Sequence, residues 1–298
     1  MNLSSLLQNI YSDTGQTDPQ FGHFVATGGS ATTIVNTAFA DFESPPEEDT
    51  LKNRIAFVES TTDGLTPQGK WGKVSAYAEA TQTITIATVT DAIGAGDVIM
   101  LAKQDLFPLQ ETIFRVNRAL TNLGDIPVPD TSLTSAADQT EYALPVGAKR
   151  GLMQVYYQNE LNDSNDNQWT EISGWSVQPG AAGSTGLLIL PQLPSGRTIK
   201  LVYMGTHPTV SVYSDYISEY IHPNVATLAS VLECLKWYNN RDENQGANEY
   251  FTWLMQNTEQ QLALAKLQFP IWKPAKTPQW FTDHSSNGYF SYDVSKFV

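Results

Sequence analysis

Residues 64–71 of the sequence, GLTPQGKW, nearly match the phosphate-binding pattern G-x-x-x-x-G-K-[ST]. In a nucleotide-binding loop, backbone N–H groups and the lysine bind phosphate, and the final hydroxyl binds Mg²⁺. Here Trp71 takes the place of that hydroxyl, and the residues after it alternate like a strand where the motif requires a helix. Thr66, which precedes Pro67, is also biased towards an extended or turn geometry. We therefore predict a loop that leads into a strand rather than a nucleotide site.

A second pattern points to cation binding. Asp163, Asn165 and Asn167 form the D-x-N-x-N start of a calcium-binding loop of the EF-hand type. The sixth position of such a loop needs a glycine and the twelfth a bidentate glutamate, but Gln168 and Gly174 stand there. The sequence therefore favours a solvated hairpin loop, with a low-affinity Ca²⁺ site as the alternative.

The residue types that most often carry catalysis and metal binding are few and scattered. The four histidines are widely spaced, and no two of them have the spacing of metal ligands: His23, His207, His222 and His284. The single cysteine, Cys234, falls within a helical apolar pattern and is expected to be a small buried side chain. No G-x-S-x-G nucleophile motif occurs. We predict that the protein is not an enzyme, with no catalytic residue, no cofactor and no bound metal.

Aromatic side chains raise a carbohydrate-binding alternative, because their faces stack on sugar rings. Trp169 and Trp175 flank a predicted hairpin strand, within an aromatic segment from 156 to 175. At 11% aromatic residues, packing in cores and interfaces is the stronger expectation. A glycan-binding or receptor-binding module remains open as an alternative.

The composition predicts a folded chain of 298 residues, of which 41% are hydrophobic and 16% are charged. The net charge of −14 argues against general binding of nucleic acid, which requires neutralisation of phosphates. A single cysteine excludes an internal disulfide framework and fits folding in a reducing cytoplasm. No apolar run approaches the roughly 18 residues of a membrane span. The first residues also lack the features of a signal peptide.

Hydrophobic periodicity divides the chain into helical and β segments. A helical seam runs through five apolar residues: Leu109, Ile113, Val116, Leu120 and Leu123. Alternation in TQTITIATV, residues 81–89, is typical of a strand. The predicted divisions are an N-terminal helix or arm (1–23), a first β module (24–104), a central helix (105–125), a second β module (126–210), a C-terminal helical hairpin (211–269) and an extended arm (270–298).

These segments predict an α+β fold with a helical body. The central helix, 107–124, would pack with the two helices of a C-terminal αα-hairpin, 212–240 and 243–268. Two small antiparallel β modules, barrel-like or sandwich-like, would project from this body. The extended arm lacks periodicity, but its aromatic residues are interface candidates: Trp272, Trp280, Phe281, Tyr289, Phe290, Tyr292 and Phe297.

Several motifs taken together resemble a known group of proteins. The first is a β segment that runs directly into a helix, QTITIATVTDAIGAGDVIMLAKQDLFPLQETIFRVNRAL. The others are TEYALP, GRTIKLVYMG and the helix start IHP. Their order resembles the head-to-tail adaptor or connector proteins in the neck of tailed bacteriophages. The resemblance covers roughly residues 25–268 and leaves the aromatic arm unmatched.

The resemblance implies a structural protein of the virion that is made in the host cytoplasm. Such an adaptor forms a homo-oligomeric ring, a dodecamer by resemblance, that joins the portal protein to downstream neck or tail proteins. Genomic DNA would pass through the ring in transient contact that does not depend on sequence, and no membrane would be involved. Another tail or baseplate component is an alternative within the same class.

Overall fold

In the computed structural model, the described residues are 1–62, 64, 66–159, 169–178, 186–241 and 249–276. They contain four α helices and fourteen strands, which form three antiparallel sheets. The chain divides into two compact units. Unit 1 combines Met1–Leu123 with His207–Ile271, and unit 2 is built on Gly124–Thr206.

The largest sheet of the described chain lies in unit 1. Its strands are β1 (His23–Val25), β2 (Gly28–Gly29), β3 (Thr33–Val35), β4 (Ile55–Ser60), β5 (Trp71–Ala78), β6 (Thr83–Ile86) and β7 (Val98–Ala102). Their order across the sheet is β1-β7-β4-β5-β6-β3-β2. The Ala26 N–H donates to the Asp97 carbonyl, and the Thr27 N–H donates to the Val35 carbonyl, both at 2.8 Å. Because these two residues join β1 to β2, the two edges of the sheet meet and form a barrel.

Apolar side chains fill the inside of this barrel. Side chains alternate between the two faces of a strand, and Ile34, Val74 and Ile84 occupy inward positions where they are fully buried. Phe39 also lies in this core, with its ring edge-on to Phe24 and the ring centroids 4.9 Å apart. The barrel is therefore a packed core rather than an open channel.

Unit 1 also contains the four described α helices: α1 (Leu3–Asp13), α2 (Leu109–Asn122), α3 (Pro223–Arg241) and α4 (Glu249–Gln268). Helix α1 begins after Asn2, whose Oδ1 accepts the Ser5 N–H at 2.9 Å as an N-cap. The helical seam predicted around 107–124 is confirmed in α2, where Ile113, Val116 and Leu120 are buried. None of the described helices combines the length and the apolar character that a membrane crossing requires.

The segment 207–222, which precedes α3, is irregular and is held by side-chain hydrogen bonds. The Asn117 Nδ2 donates to the Val210 carbonyl, and the Val210 N–H donates to the Asn117 Oδ1, both at 2.8 Å. His207 holds the segment at a second point, because its Nε2 accepts the Ser218 N–H at 2.9 Å. These bonds fix the approach of the chain to α3.

Unit 2 consists of two smaller antiparallel sheets that share one core. Its described strands are β8 (Ile126–Thr134), β9 (Glu141–Ala143), β10 (Leu152–Gln158), β11 (Trp169–Glu171), β12 (Ser176–Gln178), β13 (Leu187–Ile189) and β14 (Thr198–Gly205). The sheet orders are β11-β10-β14-β8 and β12-β13-β9. Val155 and Leu201 of the first sheet share a buried cluster with Leu188 of the second and with Trp175. This arrangement is a small β sandwich.

The prediction of an α+β fold with a helical body is wrong. Sheets dominate the described architecture, and the barrel lies within the same unit as the helices rather than projecting from a helical core. Helix α3 begins at Pro223, so the IHP helix start is confirmed and the extension of this helix back to 212 is wrong. Strands of two or three residues carry too little alternation to be recognised, which led the sequence interpretation to overweight the long helices.

Candidate interaction surface

The described residues of GLTPQGKW form a loop that leads into a strand, as predicted. Trp71 begins β5, so a strand stands where a phosphate-binding motif places its helix. The Lys70 side chain is buried, and its Nζ lies 3.6 Å from Asp91 Oδ2. The same ammonium lies 5.5 Å from the centre of the Tyr213 ring. Lys70 thus contacts Asp91 and Tyr213 of its own chain. It resembles a phosphate-binding lysine only in its place in the sequence motif.

Trp71 has a packing role in unit 1. Its ring lies edge-on to Phe57 of β4, with the centroids 6.0 Å apart, and to Tyr213, at 6.2 Å. Phe57 in turn contacts Tyr11 of α1 at 5.9 Å. This row of rings connects the barrel to α1 and to the segment 207–222, which explains a tryptophan at position 71.

The aromatic residues of the carbohydrate alternative are not grouped on one open surface. Trp175 is fully buried in the core of unit 2, so it does not stack on a sugar, and that part of the alternative is wrong. Trp169 is partly exposed, and the Lys200 Nζ lies 4.4 Å from its ring centre and 4.8 Å from that of Tyr156. Burial lowers the pKa of Lys200. The lysine therefore packs against the ring faces that a sugar would use.

The cysteine and the described histidines have structural surroundings. Burial raises the pKa of the Cys234 thiol to about 12, so this side chain is an unreactive packing residue. His23 Nδ1 lies 3.2 Å from Glu59 Oε2 at the surface. The His222 ring stacks on Phe269 with the centroids 3.7 Å apart. Among the residues that the structure describes, no three His, Cys, Asp or Glu side chains form a group that could hold a metal ion.

Two sets of predicted site residues lie wholly or mainly outside the described ranges. The first is the calcium-like pattern at Asp163, Asn165, Asn167 and Gln168. The second comprises six of the seven aromatic interface candidates: Trp280, Phe281, Tyr289, Phe290, Tyr292 and Phe297. The seventh candidate, Trp272, is described, and its side chain is exposed.

Three helices of unit 1 border a groove of about 380 Å³, the helical groove. Its floor is apolar and includes three alanines, Ala119 of α2, Ala229 of α3 and Ala263 of α4. Alanine has a short side chain, so three of them at one place leave a concave surface between the helix axes. Leu123, Leu232 and Leu262 complete the apolar lining, beside Asn122 and four charged side chains. The shape and composition are those of a groove that accepts apolar side chains of another protein segment.

Charged side chains border the helical groove. The Arg118 Nε lies 3.3 Å from Glu233 Oε2, and the Lys236 Nζ lies 3.9 Å from Glu259 Oε1. Lys266 also borders the groove, and it has no ion-pair partner among the described side chains. Glu233 and Glu259 thus each have a cationic neighbour within the chain, whereas Lys266 has no ion-pair partner among the described residues.

The outer face of α4 is apolar and exposed. Four large side chains define this α4 outer face: Tyr250, Trp253, Leu264 and Leu267. Trp253 is 58% exposed and Leu267 is 81% exposed, while Phe251 and Leu262 on the inner side are buried. In twenty residues the helix has three charged side chains, of Glu249, Glu259 and Lys266. The four side chains form two exposed pairs, separated along the same side of the helix by the polar and exposed Gln256 and Gln260.

The sequence interpretation placed the interface candidates in the arm and missed this surface. Ala119 and Ala263 lie far apart in the chain, so sequence alone does not show that they share a groove. One signal was available, because EYFTWLMQNTEQQLALAKLQ contains more large apolar side chains than its buried side uses. The described structure thus places a groove and four large exposed side chains on α2, α3 and α4.

A scan against protein-family models finds no match for this chain, and a search of curated proteins finds no similar sequence.

Proposed function

We propose that the protein is a virion structural protein of a tailed bacteriophage, a head-to-tail adaptor in the neck. The observation that carries the proposal is the α4 outer face, where four large side chains are exposed on one helix beside the helical groove. The order of the TEYALP, GRTIKLVYMG and IHP motifs supports the choice of an adaptor among structural proteins.

In this role the chain forms a closed ring of identical copies between the portal protein and the downstream tail proteins. In such an adaptor, the genomic DNA passes through the ring. The net charge of −14 supports this role, because an acidic surface does not retain the phosphate backbone of DNA. The tryptophans, tyrosines and arginines of the helices are the residue types that contribute most to protein interfaces.

Binding to the portal protein tests the proposal. Purified full-length protein is mixed with the portal ring of the same virus, and the complex is measured by sedimentation velocity and electron microscopy. The expected result is a ring of this protein on one face of the portal. A chain truncated after Phe269 tests the aromatic arm in the same assay, and we expect it to bind more weakly.

Two results would contradict these expectations. Full-length protein that stays monomeric and does not bind the portal would overturn the adaptor function. A truncated chain that binds as well as the full-length chain would remove the arm from the interface and leave the adaptor function intact.

A further inference from the structure

The exposed side chains of the α4 outer face follow a regular spacing. With two amides between them, they alternate three and four residues apart and form the α4 seam: Tyr250, Trp253, Asn257, Gln260, Leu264 and Leu267. This alternation is the a and d pattern of a helix that packs lengthwise against another helix. Neither the Asn257 amide nor the Gln260 amide makes a hydrogen bond to another described residue. The α4 seam thus has two apolar ends and a polar centre with unused hydrogen-bonding groups.

The α4 seam is complementary to its own reverse. A two-fold axis through the middle of the helix, between residues 258 and 259, exchanges the members of three pairs: Tyr250 with Leu267, Trp253 with Leu264, and Asn257 with Gln260. Two α4 helices that lie antiparallel about this axis place each aromatic ring against a leucine of the other copy. They also place each asparagine amide against a glutamine amide, and both groups can donate and accept. A parallel pair would instead crowd two tryptophans into one layer, so side-chain size favours the antiparallel pair.

The charges of α4 favour the same arrangement. Glu249 lies in the first turn of the helix and Lys266 in the last turn. Antiparallel pairing brings Glu249 of one copy to the last turn of the other, where Lys266 lies, and sets opposite ends of the helix dipoles side by side. The remaining charge, Glu259, lies near the axis in both copies, and each has Lys236 of its own chain 3.9 Å away. Because parallel pairing would place Glu249 against Glu249, charge complementarity selects a second, reversed copy as the occupant of the α4 seam.

We propose that the α4 seams of two copies pair antiparallel about a two-fold axis. The inference rests on the ring assembly proposed above and specifies one of its contacts. Because both copies use the same surface, the contact is isologous and joins copies in pairs. Ring closure then takes a second contact between pairs, and two examples of it act together wherever one pair meets the next, so loss of pairing weakens the whole ring. Such a ring has two equivalent faces when free, and binding of the portal to one of them makes them different.

Disulfide cross-linking measures the orientation of the pair. Tyr250→Cys and Leu267→Cys each place one exposed thiol at one end of the α4 seam, while the native Cys234 is buried. In the antiparallel pair, position 250 of one copy faces position 267 of the other, whereas equal positions lie about 25 Å apart along the axis, beyond the reach of a disulfide. We therefore expect mild oxidation of an equal mixture of the two full-length variants to give at least about tenfold more cross-linked dimer than either variant alone.

The control mixture combines Leu267→Cys with Tyr216→Cys, whose thiol replaces a 77% exposed side chain outside the α4 seam, and it is expected to give no more dimer than the single variants. Thermal unfolding of each reduced variant checks that the fold is retained. Single variants that cross-link as well as the mixture overturn the antiparallel pair, and so does a mixture that gives no more dimer than the control. Wild-type rings in sedimentation velocity, together with either of those results, leave the ring itself standing. A wild-type chain that is monomeric at every concentration overturns both the pair and the ring.

Discussion

Helices α1 and α4 are both rich in apolar residues, yet they use them differently. In α1 the whole apolar stripe, including Leu6 and Leu7, is buried within unit 1. In α4 the inner side is buried, while Leu264 and Leu267 on the outer side lie in solvent. Apolar periodicity therefore identifies a helix without showing whether its partner is the same chain or another protein. The α1 helix completes unit 1, whereas α4 keeps large side chains such as Leu264 and Leu267 exposed.

The largest effect is expected in α1. Leu6→Ala removes a fully buried side chain and leaves a cavity, so we expect the free energy of unfolding to fall by about 2–5 kcal/mol. The matched change in α4, Leu267→Ala, removes a side chain from solvent and should alter the free energy of unfolding by less than about 0.5 kcal/mol. Urea denaturation of the two variants measures both values.

Equal losses of unfolding free energy in Leu6→Ala and Leu267→Ala would contradict the difference between α1 and α4. A loss of about 2 kcal/mol or more in Leu267→Ala would mean that the α4 outer face is packed within the chain in solution. It would then be a core surface rather than an interface.

The next largest effect is a dependence of the free energy of unfolding on pH. It concerns the segment 207–222, which is hydrogen-bonded to α1. The Leu3 N–H donates to the Asp215 carbonyl at 2.8 Å, and His207 anchors this segment by accepting the Ser218 N–H. Burial lowers the pKa of His207 below its ordinary value of 6.5, although the hydrogen bond from Nδ1 to the Pro208 carbonyl opposes the shift. The neutral imidazole is therefore the form that the folded state favours.

Stability should consequently fall as the pH drops below 6.5. Above that pH the histidine is neutral in both the folded and the unfolded chain, and its contribution is fully present. Below it the unfolded chain takes up the proton first, which lowers the free energy of unfolding by up to about 1.4 kcal/mol per pH unit until the folded pKa is reached. His207→Ala should be less stable at pH 7 but should have a flatter profile from pH 6.5 downwards. Parallel profiles for the two proteins would exclude His207 as the cause.

The smallest effect is expected at the N-terminus of α1. Asn2→Ala removes the cap on the Ser5 N–H, and we expect a loss of about 1 kcal/mol in the free energy of unfolding. Asn2→Asp, which keeps an acceptor in the same place, should retain most of that stability. Thermal unfolding of both variants distinguishes a capping role from a general sensitivity of the N-terminus.

The sequence predicted α2 well, because Ile113, Val116 and Leu120 recur at helical spacing and all three are buried. It predicted correctly that the GLTPQGKW loop leads into a strand, because the residues after Trp71 alternate. Trp175 was misplaced among exposed aromatics, since it lies between β11 and β12, where no periodic pattern shows whether a side chain is buried.

The architecture was harder to predict than the long helices. Strand β2 consists of Gly28 and Gly29, and it owes its existence to pairing with β3 rather than to its own residues. The barrel depends on such non-local pairings, so the sequence interpretation gave the helices a central place that they do not have. The helical groove was missed for the same reason, because it is assembled from three helices that are separated along the chain.

The central claim is that the α4 outer face is a protein interface. Its most direct test is the mass of the purified full-length chain by sedimentation velocity, for wild type and for Trp253→Ala/Leu267→Ala. The control is Tyr216→Ala, which removes another side chain of unit 1 that is 77% exposed. We predict that wild type and control form the same ring-sized oligomer, while the double variant is monomeric and still unfolds cooperatively, at a temperature lowered only by the loss of assembly. A double variant that assembles like wild type would contradict the claim.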